Sequence, residues 1–343
     1  MAPDLWSLYA LMFRSRTFEN AVQKLWRDGK ISGEMHLGVG EEAIVAGIIS
    51  QLVDGDAMAL DHRGTPPMVM RGVDPVALLR EFMGQPGGIC FGRGGHMHLF
   101  VPEKLAASSG IVGASGPAAA GFALAGQVLR PGTVSVAFFG EGAANAGMLM
   151  ESMNLAVVWK LPVLFVCKDN GWAITTPAHS VSAGNLLARA RAFGMKAIQV
   201  DGTAVEAVWS AAEIALGHAR AGHGPVFIQA NCVHLEGHFL GDVLLDMVRR
   251  PAHSLSKWVL PMVKGFFKSG GAPWSERWAS VMQMLGAIVQ IQSQKAAEGD
   301  PLAWTRRTLA NKDAPRLADL ETTILRDLRH VVASALQAQG ASR

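Results

Sequence analysis

The chain contains few cysteines and no long apolar run. Its three cysteines, Cys90, Cys167 and Cys232, lack the spacing of a disulfide framework or a metal site, which favours a reducing cytoplasm. No apolar segment approaches the roughly 20 residues that cross a membrane. The amphipathic amino terminus carries no secretion or anchoring signal. We therefore expect a cytoplasmic protein that does not bind a membrane.

Charged residues are also sparse. They make up 17% of the chain, and the formal net charge is only +3. Because no run of Lys and Arg is longer than a pair, we do not expect nucleic acid or another polyanion as a partner. Half of the 343 residues are hydrophobic, which predicts a core-rich globular protein with one large α/β domain or two smaller ones.

Two short apolar runs, at residues 134–139 and 163–167, have the composition of strands buried on both faces. Between them, four apolar side chains fall at helical spacing: Leu149, Met153, Ala156 and Trp159. A strand, helix and strand in this order form a right-handed unit with parallel strands. The residues that follow the two runs are therefore expected at one edge of a sheet.

Glu141 and Asn170, 29 positions apart, each follow one of these runs. Doubly wound sheets bind ligands at the carboxyl ends of their strands. The two oxygen ligands, with Gly140 and Gly142 allowing close approach of the backbone, suit a hard cation such as Mg²⁺. We predict a metal and diphosphate site here, against the simpler alternative of a helix cap and a turn residue.

The rest of the first 250 residues alternates between helical and β patterns. Helices are predicted over residues 4–28 and 185–194 and in the segment VEAVWSAAEIALGHAR, and strands in AMAL, AIQVDG and PVFIQ. This alternation predicts a doubly wound parallel sheet. The segment GVGEEA is similar to a dinucleotide fingerprint, but no strand precedes it, which argues against an NAD-binding oxidoreductase.

The last hundred residues have a helical pattern. Apolar residues at helical spacing predict a helical hairpin over residues 255–292 and a last helix over 316–337. We expect one α/β domain over residues 1–250, the inserted hairpin within 251–298, and a helical region over 299–343 that packs on the same domain. The hairpin either packs on its own domain or forms an interface with a partner.

Several motifs occur in a fixed order: MHLGVGEEA, HRG, GRGGHMH, GIVGA, GEGAAN, DNG and GHFLGD. With them the chain resembles the alpha subunit of the thiamine-diphosphate-dependent 2-oxo acid dehydrogenase decarboxylating component, and most of all its acetoin dehydrogenase branch. The resemblance implies a thiamine-diphosphate-binding α/β fold, here with a C-terminal helical extension.

The resemblance also implies roles for individual residues. Mg²⁺ would be bound by Glu141, Asn170 and the backbone carbonyl of Trp172. The active-site histidines would be His36 and His238. Imidazoles that titrate near neutrality can donate or shuttle protons beside the reactive carbon of the cofactor. His96 and His98 are expected to support a tight loop. The contacts to the cofactor would come from His62, Arg63, Gly110, Val112, Gly142, Ala143 and His234.

The sequence departs from the family at several positions. Glu141 replaces an aspartate, and His234 replaces an arginine that would be a permanent phosphate partner, so we expect lower diphosphate affinity. Three further departures are candidates for the substrate pocket: Glu34, Thr65 and Glu236. Glu236 lies two residues from His238, and a close approach would raise the pKa of that imidazole.

The implied activity needs partners. In the family a beta subunit supplies the glutamate that activates the cofactor, which predicts a heterotetramer of two alpha and two beta chains, and a lipoyl acyltransferase accepts the acyl unit. We expect cleavage of a 2-oxo acid, an acyloin or a 1,2-dicarbonyl compound. Two alternatives stay open: an acyloin-forming carboligase without lipoyl transfer, and a catalytically silent scaffold subunit.

Overall fold

The computed structural model describes residues 3–174, 176–241, 266–267, 270–282 and 299–337. Within these residues, seven strands form one sheet in the order β2-β3-β1-β4-β5-β9-β8. Neighbouring strands run parallel, except for the short pair β2 and β3. In chain order the strands are β1 (Ala57–Leu60), β2 (Phe100–Val101), β3 (Ala106–Ser108), β4 (Ser135–Gly140), β5 (Val163–Asp169), the small separate pair β6 (Trp172–Ala173) and β7 (Thr176–Pro177), then β8 (Lys196–Asp201) and β9 (Val226–Asn231).

Helices cover both faces of the sheet. Val136 and Phe138 of β4 belong to one buried cluster, whereas Ala137 and Phe139 belong to a second cluster on the opposite face. The predicted α/β fold is confirmed, because a strand buried on both faces needs a helical layer on each side. The described helices are α1 (Leu5–Arg27), α2 (Glu42–Ile49), α3 (Thr65–Met70), α4 (Pro75–Phe82), α5 (Ser115–Leu129), α6 (Gly147–Val158), α7 (Ala178–Val181), α8 (Leu186–Ala192), α9 (Val205–Arg220) and α10 (Pro301–Leu336).

The predicted pairing of β4 with β5 is also confirmed. The two strands are parallel neighbours, from Ser135 opposite Val163 to Gly140 opposite Lys168. The helix between them, α6, buries Leu149, Met153 and Ala156. Trp159 lies just past the end of α6 and is 49% exposed, so the buried face of the helix ends at Ala156.

The last helix starts earlier than the sequence predicts. α10 begins at Pro301, with the side chain of Asp300 as its cap, and not at residue 316. Its backbone breaks at Asp313, where φ is −160°, two residues before Pro315. Proline lacks the N–H that an inner helical turn needs, which explains the break. The predicted helix corresponds to the second half of α10.

α10 packs along α1. Tyr9 donates a hydrogen bond from its hydroxyl to Glu321 over 2.5 Å, and Arg16 pairs with Asp300 at 3.0 Å. The region after residue 299 is therefore anchored to the amino-terminal helix at two points. The division of the chain into domains stays a prediction.

Most of the hairpin predicted over residues 255–292 lies outside the described residues. Residues 274–282 are helical, and the ring of Phe266 meets the ring of Trp274 with 5.0 Å between centroids. Among the described helices, none is both long enough and apolar enough to cross a bilayer.

Candidate functional site

A cavity of about 350 Å³ opens at the carboxyl edge of the sheet. The ends of β1, β4 and β5 form its floor, and loops around His36 and His238 form one wall. Twelve residues singled out from the sequence line it: His36, His62, Arg63, Gly110, Val112, Glu141, Gly142, Ala143, Asn170, Trp172, His234 and His238. The structure thus brings together residues that are up to 202 positions apart in the chain (238 − 36 = 202).

The three residues expected in the substrate pocket do not line this cavity. Glu34 is exposed on the loop after α1. Thr65 is buried in the first turn of α3. The carboxylate of Glu236 accepts a hydrogen bond from Gln23 over 2.8 Å. A role for these three residues in substrate binding stays a prediction.

Glu141 stands where β4 ends in its glycine-containing turn. It is buried, and its Oε2 accepts the backbone N–H of Asn170 at 3.3 Å. Its other carboxylate oxygen, Oε1, is also buried and has no hydrogen-bond partner. Burial raises the pKa of Glu141 to about 7. An unpartnered buried carboxylate oxygen beside a glycine turn fits a cation ligand, because a cation would replace the missing hydrogen bond.

The amide of Asn170 is held in one orientation. Its Oδ1 accepts the backbone N–H of Trp172 at 2.8 Å, and its Nδ2 donates to Nδ1 of His234. Nε2 of His234 in turn lies 2.8 Å from Glu41. Since Glu41 accepts there, His234 carries its proton on Nε2 and leaves Nδ1 as the acceptor for Asn170.

His234 is therefore more than a weaker substitute for arginine. Burial lowers its pKa to about 4, so at neutral pH it is uncharged. It adds no permanent positive charge to the expected diphosphate site. Its described contacts instead orient Asn170, and its contact with the cofactor stays a prediction.

A group of charged side chains in the cavity wall was not predicted from the sequence. Nζ of Lys168 lies 2.7 Å from Glu41 and 3.1 Å from Asp61, and all three residues line the cavity. Burial works against ionisation of Lys168, but Asp61 and Glu41 raise its pKa above the ordinary value and keep it charged. One signal was present in the sequence: a strand as apolar as VLFVC continues directly into a lysine, which needs a buried partner.

Arg63 ties this charged group to the histidines. It is almost fully buried at the end of the turn after β1. It donates to the carbonyl oxygen of Leu37 and, over 2.8 Å, to that of His238. The guanidinium therefore joins the loop before α2 to the loop after β9, and brings one permanent cation to the cavity.

Three imidazoles meet in the cavity wall. The ring centroid of His36 lies 4.8 Å from that of His62 and 5.1 Å from that of His238. Burial, followed by the charge of Arg63, lowers the pKa of His36 and of His238 to about 3 each. The net shift in the pKa of His238 is therefore downward, and an effect of Glu236 on it stays a prediction. All three rings are neutral at pH 7, since burial also lowers the pKa of His62 to about 3.

The remaining wall of the cavity is apolar, and its side chains pack closely against one another. A Cβ atom on Gly110 would lie 2.9 Å from the sulfur of Met97, so only glycine leaves the present wall undisturbed. At the mouth, Ile111, Val112 and Ile174 line the cavity but are 62%, 63% and 57% exposed. The rim of the cavity thus presents large apolar side chains to the outside.

Comparison with known proteins agrees with this geometry. A model of the dehydrogenase E1 component family matches residues 10–258. The acetoin:2,6-dichlorophenolindophenol oxidoreductase alpha subunits of Cupriavidus necator and Bacillus subtilis are 41% and 40% identical over 240 residues, which is 69% of this chain and 72% of each relative. The pyruvate dehydrogenase E1 component alpha subunit of Zymomonas mobilis is 37% identical over 242 residues, or 70% of this chain and 68% of that protein.

Proposed function

The chain belongs to the dehydrogenase E1 component family as an alpha subunit, and we propose that its cavity is half of a thiamine-diphosphate active site. The enzyme would cleave a 2-oxo acid, an acyloin or a 1,2-dicarbonyl compound and pass the acyl unit to a lipoyl partner. One observation carries this proposal. Twelve residues expected from separate motifs line a single cavity, and that cavity holds an unpartnered buried carboxylate oxygen at a glycine turn.

The metal would lie at the junction of β4 and β5. Glu141 would supply the carboxylate, Asn170 its fixed amide oxygen, and Trp172 its backbone carbonyl. Oxygen ligands of this kind suit Mg²⁺, which keeps further positions for phosphate oxygens. Arg63 and His62 follow the end of β1, the neighbour of β4, and would contact the diphosphate.

Thiamine diphosphate, when bound, supplies the nucleophilic carbon and the electron sink for carbon to carbon cleavage. The protein binds and orients it, and the apolar wall around Met97 and Phe139 excludes water from the reacting atoms. We expect His36 and His238 to act on the substrate oxygen. Their neutral state at pH 7 allows each ring to accept a proton at one nitrogen and donate one at the other.

The partner is a beta subunit, and we propose two alpha and two beta chains. The support is the exposed apolar rim formed by Ile111, Val112 and Ile174, because apolar side chains of this size beside an active site are typical of a surface that a partner covers. The beta subunit would cover this rim and complete the site at the mouth of the cavity.

The test is co-expression with a beta subunit, followed by mass spectrometry of the bound cofactor and calorimetric titration with thiamine diphosphate and Mg²⁺. We expect Glu141→Ala to weaken cofactor binding by about tenfold or more, since it removes a metal ligand. Glu151→Ala, an exposed glutamate on α6, is the matched control and is expected to bind like the wild type. Equal binding by both variants and the wild type would contradict the proposal.

The same complex separates the two alternatives. Acyl transfer to an added lipoyl domain supports the dehydrogenase reaction. Formation of acyloin without that domain identifies a carboligase, which would use the same cavity. A complex that retains no thiamine diphosphate at saturating concentration identifies a silent scaffold.

A further inference from the structure

His36 has a second histidine behind it. Nε2 of His96 lies 3.2 Å from the backbone N–H of His36 and also 3.2 Å from Nδ1 of the His36 ring. Both histidines are buried, and their rings are nearly parallel, with 18° between planes and 5.4 Å between centroids. The backbone N–H is always a donor, so Nε2 of His96 is an acceptor and carries no proton.

This contact determines the tautomer of His36. Nδ1 of His36 faces the lone pair on Nε2 of His96, and two lone pairs at this distance would repel each other. The favourable arrangement places the proton of His36 on Nδ1, where it donates to His96. Nε2 of His36 is then left without a proton.

Arg63 imposes the opposite tautomer on His238. Nη2 of Arg63 lies 3.3 Å from Nδ1 of His238. A guanidinium offers only donors, so Nδ1 of His238 accepts and the ring proton is on Nε2. The two neighbouring histidines of the cavity therefore carry their protons on different ring atoms.

The loop that bears His96 is held firmly. The carboxylate of Glu81, fully buried on α4, accepts three backbone N–H groups, from Cys90 at 2.7 Å, Gly92 at 2.9 Å and Gly94 at 2.6 Å. A carboxylate that closes a glycine-rich loop in this way limits the movement of the residues that follow it. His96 is therefore a rigid support and not a mobile side chain.

We propose that His96 is a positioning residue that presents Nε2 of His36 to the substrate as the proton acceptor, while Arg63 sets His238 as a hydrogen-bond donor at Nε2. The inference rests on the proposed function for its chemical meaning. The tautomers themselves depend only on this chain. In the reaction, a proton released by the substrate hydroxyl would move to Nε2 of His36, while Nε2–H of His238 would donate a hydrogen bond to a developing alkoxide and keep its proton.

The first measurement is the nitrogen-15 spectrum of histidine side chains in the complex labelled with [¹⁵N]histidine, with signals assigned from His36→Gln and His238→Gln. We expect His36 to show a protonated Nδ1 and a bare Nε2, and His238 the reverse. A wild-type spectrum in which His36 carries its proton on Nε2 would overturn the proposal.

The second measurement uses variants of His96. His96→Leu removes the acceptor, and we expect kcat to fall about tenfold or more while KM changes less than about twofold, because loss of a residue that orients a functional imidazole has effects of this size. His96→Gln restores an acceptor and is expected to recover most of the lost kcat and the Nδ1-protonated signal. His98→Leu, at an exposed histidine of the same loop, is the control and is expected to match the wild type.

The outcomes distinguish this inference from the proposed function. Opposite tautomers in a complex that neither binds the cofactor nor turns over would leave the tautomer assignment standing and remove the function. An active complex in which His96→Leu keeps both the wild-type tautomer and the wild-type kcat would remove the role of His96 alone.

Discussion

Glu19 is a fully buried carboxyl group on α1, beneath the loop that carries His36. Its Oε1 accepts the backbone N–H of Gly38 at 2.8 Å, whereas its Oε2 is buried without a hydrogen-bond partner. Burial raises the pKa of Glu19 from its ordinary value of 4.5 to about 8. The folded protein therefore holds a proton on this group at a pH where the unfolded chain has already released it.

This shift gives stability a definite pH dependence. The contribution of Glu19 is fully present below pH 4.5 and is lost as the pH rises towards 8, because the folded state binds more protons than the unfolded state over that range. Relative to the wild type, the free energy of unfolding of Glu19→Gln should increase by about 1 kcal/mol for each pH unit between pH 4.5 and about 8. Urea unfolding of both proteins at several pH values would check this, and a constant difference between them would contradict it.

At the scale of elements, Gly40 lies where two loops of the site touch. Its φ is +108°, and a Cβ atom there would lie 1.8 Å from the carbonyl oxygen of Val233. Backbone hydrogen bonds join the same loops, from Leu235 to Val39 at 3.1 Å and from Leu240 to Met35 at 2.8 Å. The walls that carry His36 and His238 are therefore held together by their main chains.

A pair of glycine substitutions separates close approach from backbone strain. Gly33 has a φ of +86° but no atom within 4 Å of an added Cβ, so Gly33→Ala should cost ~1 kcal/mol from the dihedral angle alone. Gly40→Ala adds the overlap with Val233 and should lower the free energy of unfolding by ~3 kcal/mol or more. Thermal unfolding of the two variants would measure the difference, and equal losses would show that the loops separate easily.

The sequence predicts some elements of this protein well and others poorly. β4 and β5 were predictable because burial on both faces requires unbroken apolar composition. The first half of α10 was not predictable from the sequence. Pro315 and the charged residues before it interrupt the helical pattern, and packing on α1 stabilises this part of the helix. The site shows the same division. Glu141 and Asn170 follow their strands directly. The lysine after the apolar run VLFVC indicates only that a buried partner is needed, and it does not identify Glu41, which lies 127 positions away.

At the scale of the whole molecule, the ion pair of Lys168 with Glu41 links the amino-terminal part of the chain to the centre of the sheet. Both side chains are about 1% exposed. Burial works against ionisation of Glu41, but Lys168 and then His234 hold its pKa below the usual range. Such a pair destabilises the protein when one partner is lost, since the remaining charge stays buried and uncompensated.

Single and double variants test this link. Lys168→Met should lower the free energy of unfolding by ~3–5 kcal/mol, and adding Glu41→Gln should recover most of the loss because no unpaired charge then remains at Glu41. Denaturant unfolding of the wild type, Lys168→Met, Glu41→Gln and the double variant would measure both effects. Additive losses in the double variant would contradict the pairing, since independent sites add.

The strand order has a consequence for how this site can change. β1 and β4 are neighbours, yet the chain leaves β1 towards β3 on one side and leaves β4 towards β5 on the other. This is a topological switch point, at which the connections diverge and open a crevice between adjacent strand ends. Arg63 follows β1 and Glu141 follows β4, so the two residues lie on opposite sides of this crevice. Because the connectivity of the chain maintains the opening, the site can exchange individual side chains and keep its place in the fold.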